Sequence, residues 1–394
     1  MKRSSEFKPY IISVVVPIFH GKQYIKDLIA QIEEGRKKLS FNEKIELIFV
    51  NDDPAEPIFI EDTSELVDIT VLPTDCNRGI HGARVRGLEN STGKYVLFLD
   101  QDDRIHPDYF YSQLHCIKNN DAVVCQVIHE KKLFYNTMTP FHKIMSKEFM
   151  FENGSPIISP GQVLLRRESI PVLWKTHIIG HNGADDFFLW LCMLAEGKIF
   201  ALNEDVLFEH TVRHDNASLN SYNMMRSEEE VVHALQENLI FPENENVLLE
   251  RMLQKIRKKM LGNLDKFRRM FYVLDEWIAS EEKGRMFEKY LTSHGVRHVA
   301  VYGYGPLGKR LVRQLDGSSV HMEYIIDQNA AFLETKCPAF TLEDDLEDVD
   351  AVIISLVQDE MAIAEAIKRK LSAKILTISK AVKEMGEETA GAGF

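Results

Sequence analysis

The chain has 394 residues, 45% hydrophobic and 27% charged, the balance of a soluble globular protein with two or three domains and not of a disordered or fibrous one. Asp plus Glu is 60 and Lys plus Arg 47, a formal net charge of -13 that argues against a general nucleic-acid binder and for an enzyme holding an anionic ligand through a cation. Five cysteines (Cys76, Cys116, Cys125, Cys192, Cys337) form no C-x-x-C pair, so a zinc ribbon or redox dithiol is not expected and free thiols in a reducing cytoplasm are.

Lys2, Arg3 and Lys8 precede an apolar run from Ile11 to Phe19 that mimics a signal peptide. The run contains Pro17, no small-residue cleavage site follows it, and it is too short to span a bilayer, as is every other stretch. Its β-branched part, 11–17, reads as a strand covered on both faces. A helical pattern follows from Lys22 to Lys38. The second strand, 45–50, ends in the breaker cluster Asn51-Asp52-Asp53-Pro54. A short strand at 68–72, a helix over 80–90 and a strand from Tyr95 to Leu99 come next, the last ending in Asp100-Gln101-Asp102-Asp103. Strands alternating with helices imply a largely parallel sheet, whose ligands bind beyond the carboxyl ends of the strands. Both acidic clusters lie at such ends.

Residues 121–210 mix shorter strands, including 161–166 and 204–209, with an apolar helix over 185–195. From 226 to 290 the pattern is helical. Leu253, Ile256, Met260, Leu264, Phe267, Phe271, Leu274 and Ile278 share one face, and eight basic residues against one acid lie between Arg251 and Arg269. Such a helix reads as an inter-domain element with a solvated basic side, or as a membrane-surface element. Strands at 298–302, 323–326, 350–354 and 374–378 then outline a small α/β domain, and 384–394 read as a frayed tail.

The loop at Asp100-Gln-Asp102-Asp103 carries the strongest chemical signal. One or two carboxylates plus a diphosphate make a suitable shell for Mg²⁺ or Mn²⁺, with a solvated acidic turn as the plain alternative. Five segments set its context: 14–19 (VVVPIF), 46–52 (ELIFVND), 77–88 (NRGIHGARVRGL), 92–103 (TGKYVLFLDQDD) and 184–190 (ADDFFLW). In this order and spacing they resemble the family-2 glycosyltransferases, inverting enzymes of the GT-A fold, over residues 10–220.

The resemblance implies a nucleotide-sugar donor, a divalent metal and transfer of one sugar to an acceptor hydroxyl. By position, Pro17 and Phe19 lie beside the nucleotide. Asp52 faces the base, favouring UDP, and Asn77 lies in the nucleotide loop. Arg84 faces donor phosphate or base. Asp100 contacts ribose or sugar, Asp102 holds the metal, and Asp103 touches the sugar or a water behind it. Asp185 and Asp186 match the acidic pair that supplies the general base, with Asp186 preferred. In 208–218, His214 is the expected metal ligand with His210 second, and Arg213 neutralises the leaving diphosphate. The chain departs from the family pattern at Asp53, Val85 and Ala184-Asp185.

Gly303-x-Gly305-x-x-Gly308 follows a strand and opens a helix, with Asp327 closing the next strand, the context of a dinucleotide fingerprint. The expected architecture is thus α/β: a GT-A domain over 1–225, a helical linker over 226–290 and a Rossmann-like domain over 291–394. The expected function is metal-dependent inverting transfer from a UDP-sugar to a glycan or lipid-linked acceptor. It would take place in the cytoplasm or at the inner face of the plasma membrane, from a chain open to homodimer formation and without a nucleic-acid partner. An NAD(P)-linked oxidoreductase built on the C-terminal loop and a non-catalytic nucleotide-sugar scaffold are the alternatives.

Overall fold

The computed structural model describes residues 11–40, 44–60, 64–129, 132–133, 139–211 and 221–387. Contacts divide the chain into two compact units, Met1–Lys258 and Lys259–Phe394.

The first unit is organised by one sheet. Its strands are β1 (Ile12–Ile18), β2 (Ile45–Asn51), β3 (Val67–Pro73), β4 (Tyr95–Phe98), β5 (Arg104–Ile105), β6 (Ala122–His129), β7 (Lys132–Leu133), β8 (Val163–Arg166) and β9 (Phe200–Glu209). They lie in the order β3-β2-β1-β4-β8-β6-β9-β5, with β7 paired to β6 at the side. β1 and β2 are buried on both faces, which is why they read as unbroken apolar runs instead of alternating ones. The pairs β1–β2, β2–β3 and β1–β4 are parallel, whereas β8 runs antiparallel to both β4 and β6. β6 is the addition to the expected strands; its AVVCQVI run is apolar enough to be a strand but carries no turn signal that marks its end.

The chain steps outward from β1 to β3 and then returns to lay β4 on the other side of β1. This reversal opens a crevice beyond the carboxyl ends of β1, β2 and β4. The helix Gly79–Glu89 closes one face of the crevice by lying directly on the sheet. Gly87 permits that approach: a Cβ there would come within 2.2 Å of Val15 Cγ1 and 3.0 Å of Val50 Cγ2.

The expected helical linker is not a separate piece. Val231, Val232 and Leu235 of the helix Ser221–Asn238 are buried in the first unit. The 40-residue helix Glu243–Glu282 contains the boundary between the units, and its Trp277 is buried in the second. That second unit is a five-stranded parallel sheet of β10 (His298–Tyr302), β11 (His321–Ile326), β12 (Ala339–Phe340), β13 (Ala351–Ile354) and β14 (Lys374–Thr377), in the order β12-β11-β10-β13-β14. β12 is one strand more than expected. The expected tail is also shorter: 384–387 belong to the helix Ile378–Glu387, whose Met385 is 1% exposed. Its periodicity is that of an amphipathic helix and not of a frayed end.

Because Gly87 sits against Val15 and Val50, Gly87→Val should overpack this contact at a cost of about 1–3 kcal/mol. A melting curve should show Tm lower by at least about 3 °C, and an unchanged Tm would contradict the close approach.

Candidate active site

The crevice is a cavity of about 830 Å³. Its walls include Pro17 near the end of β1 and Phe19 just after it, Asp52 after β2, Asn77 before the helix Gly79–Glu89 and Arg84 in it. Asp100 and Asp102 follow β4, Asp185 and Asp186 open the helix Asp185–Ala195, and His210 follows β9. Residues from six places in the sequence thus share one space. Arg213 and His214 lie outside the described residues.

On one side the pocket is built from tight turns. Asp52 is 4% exposed and its Oδ1 accepts the Arg78 backbone N–H at 2.9 Å. Burial raises its pKa against that hydrogen bond and one with Thr74. Asn77 Oδ1 accepts from Gly79 N at 2.9 Å, and Gly79 has a φ of +72°, which suits glycine. Asp53, which stands where a glycine was expected, pairs with His20 Nδ1 at 2.9 Å, and ligand atoms of His20, Asp53 and Glu56 lie within 4.8 Å of one another.

Gln101, between the acids, is a residue that sequence reasoning passed over. Its amide accepts from Phe19 N at 3.0 Å and donates to Phe19 O at 3.0 Å. The acidic loop and the loop after β1 are therefore joined by a reciprocal pair of bonds. Gly21 makes room for this, since a Cβ there would lie 2.0 Å from Gln101 Oε1. Only the pairing of donor and acceptor in one short amide hints at such a role in the sequence.

The centre of the site is Arg84, which lines the cavity and is at the same time tied to two carboxylates. Its side chain is 3% exposed. Nη1 donates to Asp185 Oδ2 at 2.6 Å, and Nη2 donates to Asp100 Oδ1. Burial alone would weaken its hold on the proton, but Asp100, Asp185 and Asp186 reverse this and raise its pKa. The guanidinium ties the loop after β4 to the first turn of the distant helix, and its fork suits two carboxylates at once.

The two acids of the pair differ in consequence. Asp185 is 2% exposed, committed to Arg84, and its carbonyl accepts Trp174 Nε1–H at 2.8 Å. Asp186 accepts only from its neighbour's backbone, Phe187 N, at 2.7 Å among the hydrogen bonds resolved for its side chain. Burial and the adjacent Asp185 push its pKa up to about 7, with Arg84 pulling the other way. A carboxylate with that pKa is matched to proton transfer near neutral pH.

Asp102, in the wall of the same cavity, is half-buried, and burial with the charges of Asp103 and Asp100 raises its pKa to about 6. Crowded acids of this kind gain from a cation. Asp103 lies behind the cavity wall: it is 1% exposed and accepts from Ser159 Oγ at 2.8 Å and from Thr211 N at 3.1 Å. Its Oδ1 lies 2.9 Å from His210 Nδ1, so it orients the imidazole whose ring lines the cavity. Burial opposes a charge on His210, but Asp103 and the other loop acids outweigh it and raise its pKa. A half-buried carboxylate beside an imidazole oriented by a second carboxylate fits a divalent cation, because outer carboxylates of this kind fix ligand histidines. Ser159 was also missed. The S-x-x-Q spelling of 159–162 signals its cap but not its bond to Asp103.

In the second unit, Gly303 has a φ of +91°, and a Cβ on Gly308 would lie 2.1 Å from Gly303 O, whereas one on Gly305 would meet nothing within 4 Å. The Asp327 carboxylate accepts Tyr304 N at 2.8 Å and Asn329 N at 2.9 Å. The acid that closes the strand after the glycine-rich loop is thus bonded to the backbone on both sides of it.

Residues 13–174 match the model of glycosyl transferase family 2. The putative glycosyltransferase EpsH of Bacillus subtilis (strain 168) is 26% identical over 117 residues, 29% of this chain and 33% of that protein. The Escherichia coli protein named UDP-Glc:alpha-D-GlcNAc-diphosphoundecaprenol beta-1,3-glucosyltransferase WfgD is 24% identical over 211 residues, 49% of this chain and 74% of that one. Among solved structures, S. aureus TarS 1-349 in complex with UDP-GlcNAc shows 16% identity and a TM-score of 0.44, covering 61% of this chain and 71% of that fragment. The chain thus spans a third of EpsH and about three quarters of WfgD. The matched segment holds β1 through β8 and the acidic loop, and over it this chain is similar to glycosyl transferase family 2.

Proposed function

We propose that this chain transfers a sugar from a UDP-sugar to a hydroxyl of a glycan or lipid-linked acceptor, with inversion at the anomeric carbon, in the assembly of a surface polysaccharide. The observation that carries it is one shared cavity lined by both Asp102 and Asp186, in whose wall Arg84 is bonded to Asp100 and Asp185. The donor and acceptor classes are supported by the name of the E. coli relative.

Asp52 and the turn through Asn77 and Gly79 would hold the base, and Phe19 and Pro17 would flank it. Asp102, with His210 or His214, would hold a divalent cation, Mn²⁺ or Mg²⁺. Bound there, the cation would offset the negative charge that gathers on the departing diphosphate. Arg213 would add a second positive charge at that end. Asp186 would take the proton from the acceptor hydroxyl as its oxygen attacks the anomeric carbon. The bond from that carbon to the diphosphate oxygen would break in the same step, leaving UDP and a protonated Asp186. Asp185, neutralised by Arg84, would be held out of this proton transfer.

The reading is tested by UDP release in a screen of UDP-sugars with lipid-linked acceptors, with and without Mn²⁺. Asp186→Asn should lower kcat by at least about 10²-fold and leave donor-induced thermal stabilisation in place. A variant with full turnover would remove Asp186 from the chemistry. Asp102→Asn, or chelation by EDTA, should abolish both turnover and the Mn²⁺-dependent part of donor binding; unaltered donor binding without metal would contradict the cation's place.

The Asp186 carboxyl, up at about 7 when folded against 3.8 ordinarily, makes two pH predictions. kcat/KM should rise with pH to a plateau, with a limb near 7. Between the two pKa values the folded chain binds more protons than the unfolded one, so Asp186 lowers stability as pH rises through that window. Asp186→Asn should therefore melt at least about 2 °C higher than the parent at pH 8, with the gain gone near pH 4. A gain of equal size at both pH values would show that the carboxylate carries no such charge cost.

A further inference from the structure

The long helix Glu243–Glu282 has a second apolar face that its own unit does not use. Val273 and Trp277 enter the core of the second unit, with Met270 and Leu274 packed against that core. Leu264, Phe267, Phe271 and Ile278 do not: they are 56%, 55%, 64% and 40% exposed. At 3.6 residues per turn these four fall within about 60° of arc, on the side away from Val273 and Trp277. With Leu274 filling the step before Ile278, their spacing runs 3-4-3-4, the pattern of a seam that packs against another helix. Leu261, 67% exposed, and Tyr272, 59% exposed, widen the stripe on one flank. Exposed apolar surface of this extent marks a place of contact.

The charges along the same stretch say what covers it. From 259 to 269 there are four basic residues, Lys259, Lys266, Arg268 and Arg269, against Asp265. From 270 to 282 there are Asp275, Glu276, Glu281 and Glu282 and no base. Asp265 is bonded to Arg268 and Arg269 at 2.7 Å each, and Glu281 to Arg310 and Gln314, while Asp275 and Glu276 are exposed beside the stripe. An anionic lipid surface would meet the basic half well and be repelled by the acidic half, over which Phe271 and Ile278 extend. A second copy laid antiparallel meets neither problem, because basic half then faces acidic half twice over.

We propose that the stripe Leu264–Phe267–Phe271–Ile278 is the seam of an antiparallel homodimer formed by two copies of this helix. A crossing centred near Phe271 and Tyr272 puts Arg268 of each copy on the same flank as Asp275 of the other, and the dyad repeats that pair. The seam lies in the second unit, so the appended domain serves as an assembly element while each first unit keeps its own cleft.

The test is sedimentation equilibrium of the full chain over a dilution series, with Phe267→Glu/Phe271→Glu as the disrupting variant and far-UV circular dichroism to show that it folds. The parent should be a dimer and the folded variant a monomer. A parent that stays monomeric throughout, or a folded variant that stays dimeric, overturns the proposal. Pelleting with phosphatidylserine vesicles is run alongside, and a monomeric parent that pelleted through the same two phenylalanines would assign the stripe to a membrane instead. Orientation is tested at two exposed charges that leave the seam intact. Arg268→Glu should weaken the dimer by at least about tenfold in Kd, and Arg268→Glu/Asp275→Arg should restore it. No weakening, or no restoration, overturns the antiparallel pairing even where the phenylalanine variant fails to fold.

Discussion

One buried cation holds the cleft in shape. Arg84 stands 3% exposed with a carboxylate at each end of its fork, one from the loop after β4 and one from a helix some hundred residues further along the chain. Removing a charge from its water is costly, and this arrangement is stable only because both partners are present and close. That requirement fixes the distance between two segments that no secondary structure joins. It also sorts the acids. Asp100 and Asp185 are paired with the guanidinium, while Asp102 and Asp186 keep raised pKa values. A group that merely bound phosphate could not have done this sorting.

Beneath the acidic loop a second layer repeats the logic with weaker bonds. Asp103 gathers Ser159, His210 and the backbone of Thr211. The loop thus has divided duties: Asp100 and Asp103 attach it to the protein, Gln101 attaches it to the loop after β1, and Asp102 lines the crevice. The bonds of these three neighbours hold the backbone from which Asp102 projects.

Much of the fold was legible. β1, β2 and β4 are continuous apolar runs ended by breakers, and their alternation with helices determines a parallel sheet and a crevice at its carboxyl ends. β6 was harder, since an apolar run without a terminating turn can belong to a helix as well as to a strand. The short β12 rests on two residues and has no pattern to read. At the site, the residues that share the cleft were identifiable because carboxylates at strand ends have few uses besides ligands and turns. What escaped was the direction in which each one points. The bonds from Arg84 to Asp100 and Asp185 could not be read, because charge complementarity across a hundred residues has no local spelling. The same holds for the bonds of Asp327 to the backbone of Tyr304 and Asn329, which its spacing after a glycine-rich loop does not announce.

The reciprocal amide contact between Gln101 and Phe19 makes the loop after β1 and the acidic loop one mechanical piece. A molecule seated against Phe19 would be felt next door, at the backbone that carries Asp102. Under the proposed transfer, recognition of the donor's far end and alignment of its reactive end would be a single event, and a mismatched base would be felt as misplaced chemistry and not only as weaker attachment.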